Sequence, residues 1–344
     1  MRPFALETAN DRSAALRFGR DTGGAEAHIT APTQYLAGGT QLFDLMKLDV
    51  MQPRTLVNIN GLEREFGAIE AAADGLRLGA LARMSEAADH PVIRRDYPVI
   101  SDALWQAASP QLRNMASLAG NVLQRTRCNY FRDRKWAGCN KRNPGSGCAA
   151  IEGVNRRLAV LGVSRHCIAN YPGDFANALV ALGAEVMIVN PDGDTRTMPF
   201  EDLHRLPDDT PHIETNLVPG DLITGFTVPS GPWTRRSLYL KIRDRTSYDF
   251  ALASAAVALD LGPDGTVRTA RIGIGGMVAK PWRSREAEDA LAGRVLDEAS
   301  AADAAEAAFA GAVTHSQTDF KPELGRRTLV RALLDAGRME IDDV

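Results

Sequence analysis

The side chains best suited to chemistry in this sequence are four cysteines, Cys128, Cys139, Cys148 and Cys167. They are the only cysteines among 344 residues, and all of them lie in one stretch of the chain. Thiols grouped in this way can form disulfides, hold a zinc ion or an iron–sulfur cluster, or stay unliganded. Each possibility implies a different class of protein, so the neighbouring residues must separate them.

The cysteines lie in the most basic stretch of the chain. Between residues 113 and 157 the only acidic residues are Asp133 and Glu152. The same stretch contains ten basic residues, namely Arg113, Arg125, Arg127, Arg132, Arg134, Lys135, Lys141, Arg142, Arg156 and Arg157. Thiolates and the clusters they bind concentrate negative charge, which nearby arginine and lysine side chains offset. The local charge therefore favours a negatively charged occupant.

The spacing of the cysteines leaves several occupants open. Structural zinc sites pair ligands about two to four residues apart, and no such pair occurs here. Disulfides need an oxidising compartment, and residues 1–8 lack the apolar run of an export signal. An iron–sulfur cluster tolerates irregular spacing, and the glycines within residues 143–148 allow a loop to wrap around it. Spacing and composition favour a cluster, with disulfides, zinc or free thiols as alternatives.

Length and composition indicate an ordinary folded chain with two or three domains or subdomains. Hydrophobic residues make up 44% of the sequence and charged residues 24%, which is ample for buried cores. A net charge of −3 gives no case for nucleic acid as a partner, and no apolar run is long enough for membrane insertion. No serine or cysteine is flanked by a convincing base, so hydrolase chemistry has no support.

A glycine turn near the N-terminus has the pattern of an anion-binding junction. The first fifty residues predict strand, helix, strand, glycine turn and helix, with the second strand at residues 34–37. Gly38 and Gly39 follow this strand, and Thr40 is a predicted N-cap for the next helix. Such a junction lets backbone N–H groups approach a phosphate, although an ordinary tight turn has the same pattern.

A second candidate segment spans residues 111–124. It contains Arg113, Ser117, Gly120 and Asn121, which combine a positive charge with small or turn-forming side chains. This composition fits a loop pressed against a polar cofactor, and it fits a helix-to-strand connection equally well.

The remaining pattern predicts an α+β fold with short elements. Strands are predicted at residues 56–59, 76–81, 184–189 and 222–228. After a linker at residues 230–233, a C-terminal domain is predicted from three strands and three helices. These are strands at residues 237–242, 250–259 and 267–274, and helices at residues 283–292, 299–312 and 324–337.

Several segments resemble the flavoprotein subunits of the xanthine dehydrogenase family. They occur in the family's order along essentially the whole chain, at residues 37–47, 113–121, 172–174, 219–223, 239–245 and 275–283. The cysteine-bearing residues 125–148 look like an insertion in the FAD subunit of bacterial periplasmic aldehyde oxidoreductases. That resemblance implies a [4Fe–4S] cluster bound by Cys128, Cys139, Cys148 and Cys167.

The resemblance also implies the architecture. It predicts a two-part FAD-binding domain of the vanillyl-alcohol-oxidase (PCMH) type, followed by a C-terminal sheet-and-three-helix domain like that of CO dehydrogenase flavoproteins. The implied boundaries are residues 1–55 and 56–229 for the two FAD-binding subdomains and 235–340 for the C-terminal domain. The cluster-binding insertion would occupy about residues 125–168.

The resemblance further implies which residues contact FAD. Asp174 would hydrogen-bond the polar part of the flavin, Ile223 would pack near its ring, and Lys241 would lie near its pyrimidine edge. No cysteine or histidine is placed for covalent attachment, so the flavin is expected to be non-covalent. No catalytic residue is expected apart from the flavin itself, tuned by Lys241. The remaining implied contacts are Gln34, Tyr35, Leu36, Ala37, Gly38, Gly39, Thr40, Gln41, Leu42, Ser117, Gly120 and Asn121.

The function implied is that of an electron-transfer subunit. A large molybdenum-cofactor subunit would oxidise an aldehyde to the acid, and a small subunit with two [2Fe–2S] clusters would pass the electrons to FAD and then to an external acceptor. Export in folded form with a signal-bearing partner would place the complex in the periplasm, with a cytoplasmic complex as the alternative. The alternative functions are a stand-alone FAD oxidase and a zinc- or disulfide-stapled basic docking module.

Overall fold

A parallel sheet of three strands forms the N-terminal part of the fold. The computed structural model describes residues 1–72 and 74–341. β3 pairs in parallel with both β1 and β2, and it crosses the predicted boundary at residue 55, so the first subdomain extends to at least Asn58. The elements of this part are β1 (Ala5–Thr8), α1 (Arg12–Gly19), β2 (Thr33–Leu36), α2 (Leu42–Lys47) and β3 (Thr55–Asn58).

The predicted order of these elements is confirmed, but the predicted cap of α2 is wrong. Gln41, rather than Thr40, immediately precedes α2, and its side chain does not bond to the first turn. Asp11, by contrast, caps α1 by accepting a 2.7 Å hydrogen bond from the Ala14 N–H.

The second part is an antiparallel sheet of five strands in the order β4–β5–β8–β6–β7. Its strands are β4 (Ile69–Ala72), β5 (Gly75–Gly79), β6 (Glu185–Val189), β7 (Thr195–Pro199) and β8 (Leu222–Pro229). The main core of the molecule lies between this sheet and several helices. The helices of this part are α3 (Glu63–Phe66), α4 (Met84–Asp89), α5 (Pro91–Asp96), α6 (Pro98–Trp105), α7 (Pro110–Met115), α8 (Leu118–Val122), α9 (Asn129–Arg132) and α10 (Asp174–Leu182).

The C-terminal part is a four-stranded antiparallel sheet covered by three helices. It has one strand more than predicted, because the short β12 adds to the edge beside β11. Residues of α13 at helical spacing, such as Leu329, Leu333 and Ala336, are buried against the sheet. The elements are β9 (Ser237–Ile242), β10 (Ala253–Leu261), β11 (Val267–Gly275), β12 (Trp282–Arg283), α11 (Arg285–Leu291), α12 (Glu298–Phe309) and α13 (Lys321–Gly337).

Residues 125–168, here called the cysteine segment, contain little regular structure and are held from two sides. Phe131 and several cysteines share a core with α2, including Leu45. On the other side the N–H groups of Val160 and Leu161 both donate to the Met277 carbonyl, at 2.9 and 3.1 Å. The segment therefore bridges the N-terminal and C-terminal parts of the fold.

None of the helices within residues 1–72 and 74–341 is long and apolar enough to cross a membrane.

Candidate functional site

The segment of residues 34–42, here called the glycine loop, lines a cavity that is open to solvent. Every residue of the loop contributes to this first cavity, together with Ser117, Gly120 and Ile223. These residues come from the β2–α2 junction, from α8 and its N-terminus, and from β8. The fold thus brings three separate stretches of predicted site residues to one wall.

The glycine loop presents unpaired backbone donors. The N–H groups of Gly38, Gly39 and Thr40 find no backbone acceptor in the part of the chain that the structure describes. Arg125 also lines the first cavity, with its guanidinium paired to Glu214. Free N–H groups on successive residues of a turn form a donor set suited to a phosphate or diphosphate.

The two glycines of the loop serve different geometric needs. Gly39 has a φ of +67°, a backbone conformation that favours glycine. At Gly38 an added Cβ would lie 1.9 Å from the Met115 carbonyl oxygen at the end of α7. Gly38 therefore allows the loop to pack directly against the α7–α8 corner, a contact that the sequence did not predict.

The predicted second loop consists of two short helices joined at a sharp corner. Residues 111–124 form α7 and α8 rather than an irregular loop or a helix-to-strand connection, and Ser117 and Gly120 line the first cavity. Ser117 caps α8 by accepting a 3.2 Å hydrogen bond from the Gly120 N–H. The Asn121 side-chain oxygen is buried without a hydrogen-bond partner among the described residues, which leaves an acceptor for a ligand.

A second cavity adjoins the first and contains Asn121 and Asp174 in its wall. Thr40, Gln41 and Gly120 line both cavities, so the two form one continuous cleft. The cleft therefore runs from the glycine loop to the N-terminus of α10, where Asp174 lies.

Asp174 is held by a buried network behind the second cavity. Lys241 donates to its Oδ2 at 2.7 Å, and the side chains are only 1% and 5% exposed, respectively. Tyr239 donates to the other carboxylate oxygen at 2.6 Å and accepts from Ser254 at 2.8 Å. Burial, together with the Asp174 charge, raises the pKa of Tyr239 well above its usual value, so the phenol stays protonated and acts as a donor.

Tyr239 is a site residue that the sequence analysis missed. It precedes Lys241 by two positions on β9, and the strand alternates between buried and half-buried residues. Side chains two apart on a strand point to the same face, so this alternation was the available signal. Lys241 lies behind Asp174 and does not itself line either cavity.

The outer wall of the second cavity is basic and aromatic. Arg127 lies 4.9 Å from the ring of Phe250, and burial lowers the pKa of Arg127 to about 10. Asp44 of α2 pairs with Arg127 at 3.4 Å and with Arg132 at 2.8 Å. These pairs connect the glycine-loop side of the cleft to the cysteine segment, and sequence spacing gave no sign of them.

The four cysteines line one small cavity within the cysteine segment, here called the cysteine cavity. Cys128, Cys139 and Cys167 are buried, whereas Cys148 is partly exposed. Cys139 and Cys148 are cross-strand neighbours in an isolated antiparallel bridge. Residues far apart along the segment are therefore brought to a common centre, with all of the thiols free.

Backbone N–H groups near the sulfur atoms oppose the effect of burial on the thiols. The N–H groups of Tyr130 and Phe131 act to lower the pKa of Cys128, and the N–H of Ala169 acts in the same way on the pKa of Cys167. Burial is the larger effect, and it raises the pKa of Cys128 to about 12 and that of Cys167 to about 11. A metal or cluster bound here must therefore displace protons from the thiols, and the N–H donors would stabilise the resulting thiolates.

The arrangement of the thiols differs from that of a single-ion site. No three His, Cys, Asp or Glu side chains within the described ranges are arranged to hold one metal ion. A zinc site needs its sulfurs about 2.3 Å from one point. His166 also lines the cysteine cavity, but its Nε2 accepts a 2.9 Å hydrogen bond from the Arg165 Nε and lies 3.0 Å from Asp209.

Comparison with known protein families identifies both parts of the chain. Residues 23–231 match the FAD binding domain in molybdopterin dehydrogenase. Residues 238–337 match the CO dehydrogenase flavoprotein C-terminal domain. The predicted α+β architecture is thereby confirmed.

Individual relatives agree with these matches. The chain is 46% identical to the aldehyde oxidoreductase FAD-binding subunit PaoB of Escherichia coli (strain K12), over 91% of this chain and 95% of that one. It is 23% identical to the carbon monoxide dehydrogenase medium chain of Afipia carboxidovorans, over 87% and 85% of the two chains. The solved carbon monoxide dehydrogenase of Hydrogenophaga pseudoflava has the same fold, with a TM-score of 0.73, 22% identity and 98% of each chain covered.

Proposed function

Because the chain belongs to the FAD-binding subunits of the molybdenum hydroxylase family, we propose that it is the FAD and [4Fe–4S] electron-transfer subunit of a heterotrimeric aldehyde oxidoreductase. Electrons would come from a large molybdenum-cofactor subunit through a small [2Fe–2S] subunit, and this chain would deliver them to an external acceptor. The 46% identity to an aldehyde oxidoreductase subunit supports an aldehyde as the substrate of the complex.

The flavin part of the proposal is supported by the continuous cleft. The unpaired N–H groups of Gly38, Gly39 and Thr40 would hold the diphosphate, with Ser117 and Gly120 forming the facing wall. Asp174 and Asn121 would contact the polar flavin edge at the far end. When bound, FAD supplies the capacity to accept electrons and to pass them on, while these residues hold and orient it.

One observation carries the cluster part of the proposal, namely that the four cysteines, from separate positions in the cysteine segment, line a single cavity. Four cysteine thiolates are the usual ligand set of a [4Fe–4S] cluster, and N–H donors tune its potential. Lys141 and the surrounding arginines would offset the negative charge of the ligands.

The assembly and its location are part of the same proposal. Relatives of this chain are named as medium chains or FAD-binding subunits, which supports a partnership with a large and a small subunit. Both partners would be proteins, and nucleic acid is not among them. We place the complex in the periplasm, reached in folded form with a signal-bearing partner, and keep a cytoplasmic complex as the alternative.

The experiment that tests this function is a cofactor count on the anaerobically purified chain. We expect about four iron and four sulfide per FAD, with a reduced-cluster EPR signal after dithionite treatment. Cys139→Ser should lose both the iron and the signal, whereas His166→Gln should keep them, because the His166 Nε2 accepts a hydrogen bond from Arg165.

Other outcomes of the same count would contradict parts of the proposal. If the chain bound FAD but no iron, the flavin function would stand. The cysteines would then bind zinc, form disulfides or remain free thiols. A folded chain that binds no FAD would overturn the proposed function altogether.

A further inference from the structure

We propose that the cysteine segment is also part of the machinery that holds FAD, and that Arg125 is the positioning residue that links the two sites. This inference rests on the proposed function, because it concerns the glycine loop as the FAD-binding element and the cysteine cavity as the cluster site. It adds that the order of the cysteine segment affects how tightly the glycine loop binds FAD.

The first link is a hydrogen-bonded latch between Gln41 and Arg125. The Gln41 Oε1 accepts from the Arg125 N–H at 2.6 Å, and the Gln41 Nε2 donates to the Arg125 carbonyl at 3.1 Å. Both polar atoms of the Gln41 amide are thus occupied by the backbone of one residue. The end of the glycine loop is thereby fixed to the first residue of the cysteine segment.

The second link is a buried ion pair. The Arg125 Nε and Nη2 both donate to one oxygen of Glu214, at 2.8 and 2.6 Å. The side chains of Arg125 and Glu214 are only 8% and 14% exposed. The Arg125 guanidinium also lies 4.5 Å from the ring centre of Phe131, which lines the cysteine cavity. Arg125 therefore contacts the walls of both sites.

The third link is Lys141, which lines the cysteine cavity itself. Its Nζ lies 3.6 Å from the second oxygen of Glu214 and donates to the Pro211 carbonyl at 3.1 Å. Glu214 thus connects one cation beside the first cavity with another beside the cysteines. A continuous chain of polar contacts runs from the glycine loop to the cysteine cavity.

The consequence is a coupling between the two occupants. Removing one partner from a buried ion pair leaves an uncompensated charge, so Arg125 and Lys141 would shift if Glu214 were neutralised. A shift of Arg125 displaces Gln41 and with it the glycine loop. By the same linkage, an ordered cysteine segment favours FAD binding, and bound FAD favours an ordered cysteine segment.

The test uses Glu214→Gln, because Glu214 lines neither of the two cavities of the cleft nor the cysteine cavity. We expect the FAD dissociation constant, measured by flavin fluorescence on the purified full chain, to rise about tenfold or more. Glu214→Asp keeps the charge and should restore part of the affinity. An unchanged dissociation constant in folded Glu214→Gln would overturn the inference.

The matched control is Glu201→Gln. Glu201 pairs with Arg285 at the same 2.6 Å, but the side chains are 37% and 55% exposed, respectively, so this change should leave FAD affinity as it is in the wild type. Weakening by both variants would contradict a specific role for Glu214.

A second variant covers the possibility that Glu214→Gln does not fold. Gln41→Ala removes the hydrogen-bonded latch without leaving a buried charge unpaired, and it should also weaken FAD binding. An FAD affinity equal to that of the wild type in this variant would overturn the proposed role of the latch. Failure of the proposed function is distinguishable, because a folded wild-type chain would then bind no FAD at all.

Discussion

At the scale of single residues, the end of the cleft proposed to hold the flavin depends on the charge balance around Asp174. Its carboxylate has one buried cation, Lys241, and one buried neutral donor, Tyr239. Lys241 also donates to the Gln106 carbonyl at 3.0 Å, so its position is fixed on two sides. The two donors of Asp174 differ in charge, and replacing each should have a different effect.

Replacing Lys241 by Met should lower the reduction potential of the flavin. A cation behind Asp174 favours the negatively charged reduced flavin, so its loss should shift the potential down by at least about 30 mV. Spectroelectrochemical titration of the purified chain measures this shift. Lys135→Met, a change at an exposed lysine, is the control, and a potential equal to that of the wild type in Lys241→Met would count against the placement of Lys241.

Replacing Tyr239 by Phe should act on stability. The change leaves a carboxylate oxygen of buried Asp174 without its 2.6 Å donor, which costs about 1 to 3 kcal/mol. Urea denaturation should show the lower free energy of unfolding, while Tyr248→Phe at an exposed position should not. Equal stability of the two variants would show that the Tyr239 hydrogen bond contributes little.

Individual site residues could be predicted from the sequence where they are consecutive in the chain or belong to a recognisable sequence motif. The glycine loop is one uninterrupted stretch, so its turn and its glycines could be recognised together. Tyr239, Arg125 and Glu214 were not found, because each acts through a partner far away in the sequence. No local pattern encodes such pairs.

At the scale of elements, the packing of the glycine loop on the α7–α8 corner has no room for a side chain. Gly38→Ala would place a Cβ 1.9 Å from the Met115 carbonyl oxygen, so the loop and the corner must separate. We expect a loss of about 1 to 3 kcal/mol in stability and a lower FAD content. Gly311→Ala is the control, since nothing lies within 4 Å of its added Cβ. Full FAD content in Gly38→Ala would contradict this close contact.

A buried lysine docks α13 onto the cysteine segment. The Lys321 Nζ donates to the carbonyls of Leu158 and Gly276 at 2.8 and 2.9 Å. Burial lowers its pKa from 10.5 to about 7, and the charges of Arg156 and Arg157 act in the same direction. Between these two pKa values the unfolded chain binds the additional proton, so this group makes the free energy of unfolding rise with pH.

Lys321→Met should remove that pH dependence. The difference in unfolding free energy between wild type and variant should grow from about pH 7 to about pH 10, by at most about 1.4 kcal/mol per pH unit. Denaturation at a series of pH values measures it. A difference that stays constant across this range would show that Lys321 does not titrate there.

Elements were predictable where hydrophobic periodicity is strong. The strands β9 and β11 and the three C-terminal helices occur close to their predicted positions. The α7–α8 corner was missed because two helices of six and five residues are too short to show a helical period. The cap of α2 was misplaced by one residue, since Thr40 lies in the turn itself.

At the scale of the whole molecule, the cysteine segment joins the N-terminal and C-terminal parts of the fold. It shares a core with α2, bonds to the Met277 carbonyl and receives Lys321 from α13. Such a position suits a module whose order depends on an internal occupant. We therefore expect the proposed [4Fe–4S] cluster to stabilise the whole chain. Thermal unfolding of Cys139→Ser should then occur at a lower temperature than that of the wild type, and an equal melting temperature would contradict this.

The measurement that tests the central claim most directly is the reduction of the flavin by an aldehyde, followed through its visible absorbance under anaerobic conditions. We expect the flavin of the intact complex, purified with the proposed molybdenum and [2Fe–2S] subunits, to be bleached by the aldehyde. The isolated chain should stay oxidised until dithionite is added. Bleaching of the isolated chain by the aldehyde would contradict the account and indicate a stand-alone FAD oxidase.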